Sequence, residues 1–112
     1  MLELRKNPRY RTLAKAYIPG ILDGKNSLKD ISITGCCVES ASKTDIQPGV
    51  QYQLEIEPER AAKVGCFHLL VEQKWTRSGE KLIEIGFVII ASPKGKQFND
   101  YIDYLEYRSS NP

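Results

Sequence analysis

The sequence is poor in the residues that carry most chemistry. Among 112 residues there is one histidine, one tryptophan and three cysteines. No apolar run approaches the roughly 18 residues that a membrane helix requires. The start, MLELRKNPRYR, has basic residues but no apolar stretch behind them, so it does not read as a signal peptide. Cys36, Cys37 and Cys66 form no C-x-x-C pair, and an odd number cannot all pair within one chain. They read as small apolar residues of a reducing, cytoplasmic setting. His68, lying in an apolar stretch with no triad-like pattern, reads as a strand residue and not a catalytic base. The G-x-x-x-x-G-K-[ST], G-x-G-x-x-G and G-x-S-x-G patterns are absent, and no spacing suits a metal. The expectation is a protein that is not an enzyme, with no cofactor and no metal.

Charge is informative only once it is divided. The total is 16 basic against 14 acidic groups, a net of +2. Residues 1–15 hold Arg5, Lys6, Arg9, Arg11 and Lys15 against Glu3 alone, a net of +4. The remaining 97 residues hold 11 basic and 13 acidic groups, a net of −2. A cationic leader on a mildly acidic body suits a small anionic ligand better than a long nucleic-acid polymer. Exposed aromatics interleaved with basic residues, which a single-strand binder would need, are also sparse.

The body is patterned for short strands. Residues 13–22 look extended, broken by Pro19-Gly20, and Asp23-Gly24 supplies a hairpin-type turn. Residues 28–32 and 36–40 flank a bend at Ile33-Thr34-Gly35. Over 50–57, Val50, Tyr52, Leu54 and Ile56 share one face and Gln51, Gln53, Glu55 and Glu57 the other. Residues 65–76 read as a long strand with Phe67, Leu69, Val71 and Trp75 on one face. In strand 82–90, Gly86 suggests a bulge or a close backbone approach. The period then changes: Phe98, Tyr101, Ile102 and Leu105 fall at helical spacing within 94–107, opposite Asp100, Asp103 and Glu106. Ser92 and Pro93 suit the start of that helix. The expected fold is all-β with one helix: a small antiparallel six-stranded β barrel plus a C-terminal α-helix. It divides into a basic arm, 1–12, and a barrel with its helix, 13–112, within a single domain.

Two short motifs point to a ligand. Arg5 and Arg9 form an R-x-x-x-R pair on a segment stiffened by Pro8. Arginine forks bind phosphate and the O6/N7 edge of guanine, and the planar guanidinium stacks on bases. Asp30, Ser32 and Gly35 form a D-x-S-x-x-G pattern at a strand end. There a carboxylate can accept from guanine, a hydroxyl can bond phosphate, and glycine permits positive φ and close approach. Taken singly, the first reads as a solvated basic tail and the second as an ordinary turn.

In this order, with a barrel and a terminal helix, the motifs resemble the PilZ domain family. Lys74-Trp75 and Gly86-Phe87 resemble that family's usual ending. The resemblance implies binding of the bacterial second messenger cyclic di-GMP by Arg5, Arg9, Asp30, Ser32 and Gly35. It implies a ligand-induced change, read by a downstream protein partner, without membrane insertion. Leu4 stands where a third arginine would precede Arg5, which favours one ligand per chain. The alternative is a PilZ-like adaptor that ignores nucleotides and uses the barrel or the helix tyrosines. Of these Tyr101 is expected to pack, while Tyr104 and Tyr107 lie off the apolar stripe.

Overall fold

A computed structural model describes residues 8–41, 46–91 and 95–110. Seven strands and one long helix follow in order: β1 Tyr10–Arg11, β2 Lys15–Tyr17, β3 Asn26–Ile31, β4 Gly35–Ser40, β5 Gln51–Glu57, β6 Phe67–Ser78, β7 Ile83–Ala91 and α1 Lys96–Ser110. A single 3₁₀ turn, Arg60–Ala62, lies between β5 and β6. Every pairing is antiparallel. The ring β2–β5–β6–β7–β4–β3 closes on itself, giving the expected six-stranded barrel. β1 pairs with β3 as β2 does, so β1 and β2 are one interrupted strand. Sheet pairing therefore starts at Tyr10, within the segment assigned to the arm.

Thr12 causes the interruption. Its hydroxyl donates to the Leu28 carbonyl at 2.5 Å and accepts from the Ala14 N–H at 3.0 Å. A side chain competing for backbone partners takes residues 12–14 out of the regular ladder. The chain then turns at Pro19-Gly20. There the Asp23 carboxylate accepts from the Gly20 N–H, and Gly20 adopts φ +82°, which glycine permits without strain.

One hydrophobic core fills the barrel. Ala16, Leu28, Ile31, Val38, Leu54, Ile56, Leu69, Val71 and Ile85 are all fully buried. Two expected core positions differ. Val50 precedes β5 at the barrel's end and is 42% exposed. Trp75 turns outward because the β6–β7 register shifts between Gln73 and Trp75, and Gln73 is buried instead. Both Cys36 and Cys37 are buried, and Cys66 is exposed.

Helix α1 extends the core beyond the barrel. Phe98, Tyr101, Ile102 and Leu105 are buried as the periodicity requires. The Phe67 ring, at the start of β6, lies 6.1 Å from Phe98 and 5.9 Å from Tyr101 between centroids. Polar contacts fix the helix's last turns. The Tyr101 hydroxyl donates to Glu59 at 2.6 Å, and Arg108 pairs with Glu59 at 3.1 Å. Arg108 also donates to the carbonyl oxygen of Arg11. Tyr104 is half-buried against Tyr101, and Tyr107 is exposed. The helix runs to Ser110, past the expected end at 107. Ser92 and Pro93 lie outside the described residues.

Candidate ligand-binding site

The bend at 30–35 begins with a β-bulge. Leu28 pairs with Val38, but Asp30, not Lys29, pairs with Cys37. Leu28 and Ile31 both face the core, which leaves two consecutive residues, Lys29 and Asp30, on the outer side. Lys29 reaches Glu84 on β7 at 2.6 Å. Asp30 meets Arg9, with Oδ1 2.5 Å from Nη1. Thus the second arginine of the first motif and the acid of the second are brought together across 21 positions.

Ser32 plays a different part from the one its chemistry allows. It is 2% exposed, and its hydroxyl is engaged within the turn. The oxygen accepts from the N–H groups of Thr34 and Gly35 at 3.2 and 3.1 Å. The hydroxyl also lies 3.3 Å from the Gly35 carbonyl oxygen. The Thr34 carbonyl in turn accepts from the Ile89 N–H at 2.9 Å, tying the bend to β7. Ser32 holds the shape of the bend.

Gly35 is needed for clearance. A Cβ there would sit 2.9 Å from the Phe87 carbonyl oxygen and 3.4 Å from Arg9 Nη2. The positive-φ glycines are Gly20, Gly24 and Gly49, so left-handed backbone is not the reason for glycine at 35. Arg5 lies outside the described residues.

The neighbouring strands extend the site sideways. Arg11 pairs with Asp30, Asp30 with Cys37, Cys37 with Gly86, and Gly86 with Trp75. These positions form one row across five strands. The indole rests against Gly86, where a Cβ would come within 2.1 Å of its ring. The Arg77 guanidinium carbon lies over the Trp75 ring, 5.4 Å from its centroid. From Asp30 to Trp75 the row spans three strand spacings of ~4.8 Å, about 14 Å. Its floor is low, being glycine and a buried thiol. Burial, with the nearby Asp30 charge second, pushes the Cys37 thiol up to about 11, which keeps it protonated at neutral pH.

Other chemistry-bearing residues stay apart from this row. His68 lies 3.5 Å from Glu55 on the adjacent strand, both partly exposed. Among the described residues no group of three His, Cys, Asp or Glu side chains could hold a metal ion. No helix among them is long and apolar enough to cross a membrane.

The outward Lys29-Asp30 pair was visible as two polar residues between Leu28 and Ile31, a spacing that strict alternation cannot place on one face. Arg108 was hidden, because nothing local marks a residue that bonds a carbonyl 97 positions away.

No family model and no curated protein matches the chain significantly. Solved structures do. The Bacillus subtilis inhibitor of motility MotI/DgrA superposes with a TM-score of 0.78 at 17% identity, over 98% of this chain and 53% of that one. The chain thus spans about half the length of that protein. The PilZ domain of YcgR from Escherichia coli, solved with c-di-GMP, superposes with a TM-score of 0.68 at 17% identity. That match covers 96% of this chain and 95% of the domain. The chain has the PilZ-domain fold.

Proposed function

We propose that the chain is a cyclic di-GMP receptor of the bacterial cytoplasm, binding the dinucleotide between the R-x-x-x-R arm and the outer row that starts at Asp30. The observation that carries this reading is the meeting of Arg9, Asp30 and Gly35 at one point of the barrel surface. Arg9 uses one guanidinium nitrogen on Asp30, and the remaining donors of its fork are available for a phosphate or a guanine edge. Arg5, four positions earlier, supplies the second fork. Asp30 orients Arg9 and can accept from a guanine, while the Gly35 gap lets the ligand approach the sheet. Trp75 ends the row with an apolar wall.

In this mechanism the ligand's two negative charges draw the cationic arm over the bend. Ordering the arm costs conformational entropy, which charge-assisted hydrogen bonds offset. Arm, ligand and barrel then form a composite surface for a downstream protein. The chain acts as receptor and adaptor, with no catalytic step, cofactor or metal.

Isothermal calorimetry with cyclic di-GMP tests the assignment. Arg9→Ala is expected to lose about 2 kcal/mol of binding, in the range for a desolvated charged contact. Hydrogen exchange of residues 1–12 is expected to slow when ligand is added. Wild-type-like titration of Arg9→Ala would refute the site, and unchanged exchange would refute the closure. One observation favours a nucleotide-free adaptor instead: the Asp30 carboxylate is already engaged by Arg9. Absence of any heat with the wild-type chain would decide for that reading.

A further inference from the structure

The break between β1 and β2 opens a groove of about 720 Å³ on the outer surface. Its walls include Arg11, Leu13, Lys15, Lys29 and Arg108, with Glu39 the one carboxylate among its lining residues. Lys29 and Arg108 are each held by a carboxylate. Arg11 and Lys15 form no ion pair among the described residues; the carboxylates opposite them in the ladder are Asp30, held by Arg9, and Glu57. Between them stands Leu13, 76% exposed. Its exposure follows strand alternation, with Thr12 half-buried and Ala14 buried on the inner side.

A leucine exposed between two cations that form no ion pair complements a surface that is both acidic and aliphatic. A nucleotide or single-stranded nucleic acid fits poorly, because no aromatic ring lines the groove to stack a base. A free phosphate would use the cations and leave Leu13 idle. We infer that this groove docks an acidic peptide segment of a partner protein, one carrying an aliphatic side chain that packs on Leu13 between its carboxylates. The carboxylates pair with Arg11 and Lys15, which flank Leu13 two positions to either side on the same outward face. This surface lies beside the nucleotide row and shares only Arg11 with it, so the inference does not depend on the cyclic di-GMP reading.

The probe is a fluorescein-labelled peptide of Glu-Glu-Leu repeats, followed by fluorescence polarisation at low and moderate salt. Lys15→Glu is expected to weaken binding about tenfold, as reversal of a steering charge does. Leu13→Ser is expected to weaken it about threefold. A peptide with serine in place of leucine should lose the same factor on the wild type and nothing further on Leu13→Ser, the signature of a direct contact. Both positions are exposed, and thermal melts verify that the variants fold. The proposal is overturned if the wild type does not bind the peptide, or if Lys15→Glu binds as the wild type does. It is also overturned if inorganic polyphosphate competes equally well on the wild type and on Leu13→Ser while the leucine-free peptide binds undiminished, since the groove is then a plain anion site. Cyclic di-GMP calorimetry on the wild type separates the two readings: a chain that binds the peptide but no nucleotide keeps this inference and loses the receptor assignment.

Discussion

Strands β3 and β6 carry matching irregularities, a lysine inserted as the extra residue of a bulge, Lys29 in one and Lys74 in the other. Strict alternation from Leu28 would point Asp30 into the core, and alternation from Phe67 would do the same to Trp75. Each bulge reverses the face, and the two exported side chains become the ends of one row on the outer surface. The physics behind the two reversals is opposite. An unpaired Asp30 in the core would carry a burial penalty of several kcal/mol, so polarity alone drives it outward. Trp75 would gain from burial, and its outward position must be held by local fit. That fit is the bare backbone of Gly86 against the indole, with the Arg77 guanidinium over its ring. The charged end of the row is thus fixed by what the core rejects, and the aromatic end by what the surface was cleared to accept.

The contrast can be broken at its anchor first. Leu28 is fully buried beside the bulge, and Leu28→Ala is expected to cost about 2–5 kcal/mol, measured from the denaturant midpoint. A loss under 1 kcal/mol would mean that the bulge is not pinned from the core. Filling the seat of Trp75 comes next. Gly86→Ala places a Cβ inside the indole's volume, so the ring must swing away, at a cost of about 1–3 kcal/mol. Because this is the chain's one tryptophan, its emission should move to longer wavelength. An unmoved spectrum would show that the indole does not rest on Gly86.

The smallest effect compares the two bulge lysines through their carboxylates. Lys29 lies 2.6 Å from Glu84, which Arg77 also approaches, while Lys74 lies 3.2 Å from Glu72 on the open surface. The hydrogen bond from Lys29 holds the Glu84 carboxyl below its ordinary value of 4.5; desolvation, next in size, opposes it, and the Lys29 charge and then Arg77 add to the lowering. A carboxyl depressed in the folded state stabilises the fold fully above its unfolded value, and that contribution is lost as pH falls through the folded one. The stability gap between wild type and Glu84→Gln should therefore be constant near neutral pH and shrink below 4.5. A gap independent of pH down to strong acid would show that Glu84 is not ionically paired in solution.

The strand pattern, the terminal helix and the closed six-stranded barrel were legible because alternation and helical spacing are local properties. Leu54 with Ile56, and the quartet from Phe98 to Leu105, fell where their periods put them. Alternation fails where an extra residue enters, so Trp75 was given the wrong face although its own strand was correctly found. At the site, Asp30 and Gly35 could be read by residue type, but the reason for the glycine could not: it is the carbonyl of Phe87 on another strand. Ser32 kept the role of a turn residue that its type equally allows. That Arg9 meets Asp30 follows from strand pairing across 21 positions, which short-range pattern does not encode.

The bond from Arg108 to the Arg11 carbonyl joins positions 97 apart in sequence. Since residues 11 and 108 touch, the order in which the chain visits the barrel is not essential to its shape. A short linker from the end of α1 to residue 8 could close the chain into a ring. The ring could then be reopened at Gly79–Lys81, between β6 and β7, without cutting a strand. In such a permutant residues 8–12 and the helix become one internal segment, and the groove beside Leu13 would be flanked by continuous chain.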